Sequence, residues 1–300
     1  MPQRGKRAAK RNAHPGRDKW SDRRKKSRRE LGQNFLKDKR VAKRIVAESG
    51  VRKDELVVEL GAGGGILTRQ LARVARQVIA VECDPYWAMH LRKRFSNDEN
   101  VRVVQGDALT VTLPKEPFVV VANLPFNITT PILHRLLDDS TSPLQSAHRL
   151  VQKQLALKHA RSTPTTLKTL NWSPWYEFSA CLELPTDAFH PKPKVDACLM
   201  VAAKRDPPLV AAEHRHLFRA FVRRAFDGYG NCVSETLRPI FRRTQLRRLA
   251  RDNGFSLLWS PSMLTVPQWA RLFDAMMLVV PRNRWPSSRQ HARRECWHCW

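Results

Sequence analysis

The chain has 300 residues, 42% of them hydrophobic, which suffices for one sizeable core and a smaller second unit. Its 54 Lys and Arg against 27 Asp and Glu leave a formal charge of +27, far beyond what solubility needs, so a polyanionic partner is expected and ribosomal RNA, DNA and anionic membrane all stay open on charge alone. No apolar run approaches the roughly 20 residues of a membrane span, and the N-terminus carries no apolar signal segment, so the protein is expected in the cytoplasm with no membrane partner.

Residues 1–30 are dense in Arg and Lys and nearly devoid of aliphatics. They bury too little to offset ordering entropy and are expected to form a disordered basic arm. The arm suits tracking of RNA phosphates; its plainer alternative is a solubilising tail.

From residue 31 short β-branched runs alternate with helical spacing. ELVVEL (55–60), QVIAVE (77–82), VRVVQ (101–105), FVVVAN (118–123) and AHRLVQ (147–152) read as parallel strands covered on both faces. Segments such as ILTRQLARVARQ and YWAMHLRKRF lie between them. This alternation predicts a doubly wound α/β sheet over residues 31–208.

The first strand runs into ELGAGGG, where an open α/β sheet binds a nucleotide-like ligand. Gly61 and Gly63 suit a tight turn and close backbone approach. The dinucleotide fingerprint needs a third glycine where Ile66 stands, which disfavours NAD. Glu59, Gly61, Gly63 and Gly65 instead resemble the first motif of S-adenosylmethionine-dependent methyltransferases. Glu82 closes the second strand, where a carboxylate accepts ribose hydroxyls, and Asp107 follows the third, where it accepts an adenine amine.

The fourth strand delivers Asn123, Leu124, Pro125 and Phe126. Asn123 offers a side-chain carbonyl, Pro125 confines Leu124 to extended backbone and so aims its carbonyl, and Phe126 offers a flat apolar face. Two acceptors and a ring suit an exocyclic adenine amine. That nitrogen is a poor nucleophile until its hydrogens are drawn aside and it is aligned with an electrophilic methyl; proximity then supplies most of the rate and no strong base is needed. A base reaching such a pocket has left its stack, so a second aromatic is expected. Phe189, in AFHPKPKVD beside Lys192 and Lys194, fills that role or else packs as core.

After KPKVDACLMVAAKRDPPL the β-type runs stop. Residues 209–280 read as Arg-rich amphipathic helices forming a small all-helical unit, with Arg223 and Arg224 in the segment expected to meet RNA. Residues 281–300 read as a basic, disordered tail, and Cys296, His298 and Cys299 at its end have the look of a zinc trap. Three ligands at a frayed end carry little weight, and no metal is expected. The six cysteines are too scattered for a disulfide scaffold.

ELGQNFLKD (30–38), ELGAGGG (59–65), VECD (81–84), QGDAL (105–109), NLPFNITTPIL (123–133) and FHPKPKVD (189–196) follow the order found in the ribosomal RNA adenine-N6 methyltransferases. Over residues 30–280 the chain resembles that superfamily, and Phe126, the basic arm and LTVPQWARLF resemble its actinobacterial Erm branch. KsgA-type members more often carry Tyr at the position of Phe126. The resemblance implies a Rossmann-like methyltransferase sheet and S-adenosylmethionine as cofactor. It implies that Gln33, Asn34 and Leu36 fold over that cofactor, Gly61 approaches its methionine part, Glu82 takes the ribose, Cys83 acts through backbone, Asp107 and Ala108 hold the adenine, and Asn123 lies between cofactor and substrate. It further implies a monomer methylating one adenine in the peptidyl-transferase loop of naked or precursor 23S rRNA, giving macrolide, lincosamide and streptogramin B resistance. A KsgA-like enzyme of small-subunit RNA and a non-catalytic RNA-binding relative are the rival expectations.

Overall fold

The computed structural model describes residues 34–163, 166–227 and 230–286. The basic arm, Gln33 and the Cys296–Cys299 cluster lie outside them.

Seven strands form one sheet: β2 (Leu56–Leu60), β3 (Gln77–Glu82), β4 (Val101–Gln105), β5 (Phe118–Ala122), β6 (Leu144–Gln152), β7 (Tyr176–Leu184) and β9 (Ala197–Lys204). A separate ribbon pairs β1 (Phe35–Leu36) with β8 (Phe189–His190). The sheet order is β4-β3-β2-β5-β6-β9-β7. The first five strands are parallel, as the apolar runs predict, whereas β9 runs antiparallel to β6 and β7 antiparallel to β9. The sheet is therefore mixed. β4 departs from the expectation of cover on both faces, because it is the outermost strand and stays partly exposed.

Helices cover both faces. Asp38 caps the helix Lys39–Glu48 by accepting from the Arg40 amide at 2.7 Å, and Asp84 caps Pro85–Arg94 by accepting from the Tyr86 amide at 2.8 Å. Proline stands at the start of the second helix, where its missing N–H costs nothing. One face of the sheet buries Val57, Val78, Val119 and Val121 together with Leu36, Ile45 and Phe189. The other buries Val58, Val120, Leu133 and Leu136, and this cluster continues without a break into Phe218, Phe221, Trp269 and Phe273. Those four aromatics belong to the helices Arg215–Phe226 and Val266–Val279, so the helical region expected after residue 209 forms as helices but shares its core with the sheet.

A polar tie reinforces that junction. Asp138, at the end of the helix Thr129–Leu137, accepts from Trp172 Nε1 at 2.8 Å and from Arg219 Nη2 at 2.9 Å, and its second oxygen lies 3.1 Å from His134 Nδ1. Burial alone would raise its pKa, but the His134, Arg219 and Trp172 contacts outweigh that and hold it below the usual carboxylate range. A carboxyl with a depressed folded pKa contributes stability above its unfolded pKa and loses it as pH falls through the folded value. Asp138→Ala should therefore cost about 1–3 kcal/mol in denaturant unfolding at pH 7, with the gap to wild type closing in acid; a gap that persists at low pH would assign the loss to packing instead.

Candidate active site

The chain places β3 and β4 to one side of β2 and β5 and β6 to the other, so the strand order reverses between β2 and β5. A crevice opens outside the carboxyl ends of two such strands. Here it is a cleft lined by Asn34, Glu59, Gly61, Glu82, Asp107 and Asn123 among others.

Gly61 lines its floor and Gly63 supports it from behind. Both have positive φ, at +76° and +53°, and a Cβ on Gly61 would lie 2.5 Å from Leu124 Cδ2. The Gly61 and Ala62 amides donate to the Val81 carbonyl at 2.9 and 3.0 Å, which ties the loop to β3. Glu82 receives the Gly63 amide on Oε2 at 2.7 Å and the Asp84 amide on Oε1 at 2.9 Å. Oε1 also receives the Cys83 thiol at 3.6 Å, so Oε2 is the oxygen that keeps a further lone pair for a ligand hydroxyl. Asp107 accepts the Leu109 amide on Oδ1 at 2.8 Å, and its other oxygen has no hydrogen bond among the described residues.

Two arginines hold the loops in place. Arg135 donates to the Ala108 and Val111 carbonyls and so clamps the loop that carries Asp107. Burial lowers its pKa. Arg149 donates to the carbonyls of Pro125, Ile128 and Thr129 in the turn after β5. In that turn the Asn123 side-chain N–H donates to the Asn34 carbonyl at 3.1 Å, which draws residue 34 over the cleft and leaves the Asn123 side-chain carbonyl as an acceptor.

Of the residues singled out in the sequence, Asn34, Gly61, Glu82, Cys83, Asp107, Ala108, Asn123, Leu124 and Pro125 line this one cleft. Gly63 lies just behind it, its amide spent on Glu82. Leu36 is buried and pairs with Phe189 in the ribbon, away from the lining. Phe126 packs against the same apolar cluster as Phe189, but Phe189 is only 1% exposed. The two rings do not form an open slot, because the ribbon turns Phe189 inward. Lys192 and Lys194 are exposed on the loop after the ribbon, and Arg223 and Arg224 occupy the last turn of Arg215–Phe226, where cations also suit the helix dipole. None of these four lines the cleft. Sequence reasoning left unassigned Phe35, whose ring sits against Gly63 and 5.9 Å from Trp87, and the role of Glu59, a lining carboxyl with 1% exposure.

Glu59 Oε2 accepts from the Thr68 hydroxyl at 2.6 Å, yet burial still drives its pKa up to about 8.

A reversed strand order, a glycine loop and acidic groups at successive strand ends define a Rossmann-like methyltransferase. The chain belongs to the ribosomal RNA adenine dimethylase family, whose model matches residues 24–273. An rRNA adenine N-6-methyltransferase of Bacillus licheniformis is 31% identical over 262 residues, covering 86% of this chain and 90% of the relative. The mycinamicin-resistance protein MyrB of Micromonospora griseorubida is 34% identical over 246 residues, covering 82% and 78%. The crystal structure of the 23S rRNA methyltransferase ErmE superimposes with a TM-score of 0.74 at 30% identity, over 81% of this chain and 100% of that one. Among the described residues no helix is long and apolar enough to cross a membrane.

Two measurements check the geometry. Gly61→Ala places a side chain into both a positive-φ position and the Leu124 contact, and should weaken S-adenosylmethionine binding about tenfold or more in calorimetry, given a cost of order 1–3 kcal/mol for such strain. Unfolded chains release the Glu59 proton near 4.5, whereas the folded protein holds it to about 8. That stabilising contribution is complete below the unfolded value and is lost as pH rises through the folded one. Wild type should thus lose stability relative to Glu59→Gln across this interval; a constant difference would show that Glu59 ionises normally.

Proposed function

We propose that the protein transfers methyl groups from S-adenosylmethionine to N6 of a single adenine in the peptidyl-transferase loop of 23S rRNA, in the cytoplasm, and so confers macrolide, lincosamide and streptogramin B resistance. The observation that carries this reading is the meeting, at one switch point, of Asn123 and Leu124 with Gly61, Glu82 and Asp107. The names of ErmE and MyrB support the RNA and the drug class.

The residues fit the cofactor. The missing Gly61 side chain lets the loop pack closely on Leu124 at the cleft, Glu82 Oε2 has a lone pair for a ribose hydroxyl, and Asp107 has a free oxygen for an adenine amine. Glu59 is a buried acid on the same cleft, and an ammonium group beside it would draw it toward ionisation. When bound, S-adenosylmethionine supplies an electrophilic methyl on sulfur.

The rest is done by the chain. With its amide nitrogen spent on Asn34, Asn123 presents a carbonyl to the target amine, and Leu124 presents a backbone carbonyl whose direction Pro125 restricts. Two acceptors draw on the amine hydrogens and turn the nitrogen lone pair toward the methyl. Acceleration then comes from orientation, and the amine proton leaves to solvent after transfer. We assign Phe126 to stacking on the flipped base; Phe189 joins it only if the β1–β8 ribbon shifts, since its ring is buried. Residues 1–30, Lys192, Lys194, Arg223, Arg224 and the helices of 209–280 are proposed to hold the RNA as a monomer, before the subunit is assembled.

Labelled methyl transfer to protein-free 23S and 16S RNA, with the product mapped by nuclease digestion and mass spectrometry, tests the reading. Label at one peptidyl-transferase adenine is expected; label on small-subunit RNA alone would move the protein to a biogenesis role, and none on either to a binding role. Asn123→Ala should lower transfer at least about 100-fold with RNA affinity nearly unchanged. Deleting residues 1–29 should weaken RNA binding and flatten its salt dependence by roughly 0.7–0.9 in log–log slope for each phosphate the arm neutralises; an unchanged slope would leave the arm as a solubility tail.

A further inference from the structure

Arg149 stands out among the Lys and Arg of the described residues because it is 2% exposed. It lies in β6 directly beside Ala122, the last residue of β5 before the turn that begins at Asn123. Its Nη1 donates to the Thr129 carbonyl at 3.1 Å and to the Ile128 carbonyl at 3.4 Å, and its Nη2 to the Pro125 carbonyl at 3.2 Å. Nε has no partner, and no carboxylate pairs with the group among the described residues.

The burial, the unpartnered Nε and the missing counter-ion each cost stability. A guanidinium taken out of water without a counter-ion loses solvation that carbonyl dipoles replace only in part, and burial lowers its pKa to about 9. The helix Thr129–Leu137 begins at the residues it touches, and a cation at a helix N-terminus opposes the helix dipole. An apolar side chain of similar volume would avoid both penalties. Arg149 is therefore poorly explained as a stabilising residue.

Its geometry does explain it. The planar fork presents donors in fixed directions, which a lysine ammonium does not. Three carbonyls spread over residues 125–129 are tied to one rigid group, and that group is anchored in a central strand. The 3-10 turn Phe126–Ile128 between them has its own backbone bonds, Ile128 amide to Pro125 carbonyl at 3.3 Å and Thr129 amide to Phe126 carbonyl, but its caps bring no side-chain hydrogen bond, so Arg149 supplies the side-chain tie to the rest of the sheet.

We propose that Arg149 is a positioning residue for methyl transfer: by holding the backbone from Pro125 to Thr129 it fixes the direction of the Asn123 and Leu124 acceptors, without itself touching cofactor or RNA. The inference rests on the reading that this turn grips the target amine. Misplacement of such acceptors by about 1 Å is enough to cost on the order of 100-fold in rate.

The test uses the full-length protein with Arg149→Met, Arg149→Lys and Arg149→Ala, protein-free 23S RNA transcript and labelled S-adenosylmethionine. Arg149→Met should lower kcat about 100-fold, with KM for cofactor and RNA little changed and a melting temperature equal to or above wild type. Arg149→Lys should keep the fold and recover only a small part of kcat. Guanidinium ion at sub-denaturing concentration should restore part of the Arg149→Ala rate, and ammonium should not. Wild-type kcat in Arg149→Met overturns the proposal, and so does a kcat loss matched by a lowered melting temperature, which would make Arg149 a stability residue. Wild-type enzyme inactive on the transcript would instead overturn the proposed function, and this inference with it.

Discussion

The cleft depends on one close approach, that of the Gly61 backbone to Leu124. Any side chain at residue 61 would have to displace Leu124 Cδ2, so the present packing between the loops after β2 and β5 uses the missing side chain. Their convergence brings the acidic ends of β2 and β3 within one cavity of the Asn123 turn. A doubly wound sheet supplies the crevice in any case. Here its base is shaped by a glycine with positive φ packed against Leu124, whose backbone the following proline restricts.

Converging loops have little regular hydrogen bonding of their own, and this chain restrains them with long polar side chains from neighbouring elements. Arg135 reaches back from a helix to the Asp107 loop, Arg149 reaches from a strand to the Asn123 turn, and Glu82 collects the amides of Gly63 and Asp84. All three are charged groups used as multi-point hydrogen-bonding partners for backbone. Burying them is costly, and the return is a defined direction for carbonyls and amides that must meet a ligand.

Much of this is legible in the sequence, and the gaps have physical causes. β3 and β4 match the predicted runs residue for residue, because β-branched runs bounded by turn residues have few other solutions. β7 gives a weaker signal: Glu177, Ser179 and Glu183 interrupt its apolar residues, as befits an edge strand with one solvent face. The antiparallel direction of β9 is not legible, because a continuous apolar run reports burial on two faces and not direction. The cleft residues are recognisable because glycines, strand-end acids and the Asn-Leu-Pro-Phe turn each have a local reason for their position. Phe189 can be placed near the site but not oriented, since a ring in a proline-flanked loop faces a ligand or the core with the same sequence. The strong overall charge directs attention to the Arg-rich helices, whereas the arginines that shape the site are single ones within apolar stretches, AHRLVQ and ILHRLL.

One helix connects these ties. Thr129–Leu137 spans nine residues, about 13 Å. Its first carbonyl is held by Arg149, its Arg135 clamps the Asp107 loop, and Asp138 at its end is bound by Arg219 of the C-terminal helices. The core beneath it runs unbroken from Val120 to Phe273, at a packing density that leaves little room for independent motion. The C-terminal helices, this helix and the turn that carries Asn123 are thus joined by hydrogen bonds and one shared core. The helical region is in this sense part of the site's scaffold as well as a surface beside it, and the boundary near residue 209 divides the chain by secondary structure more than by mechanics.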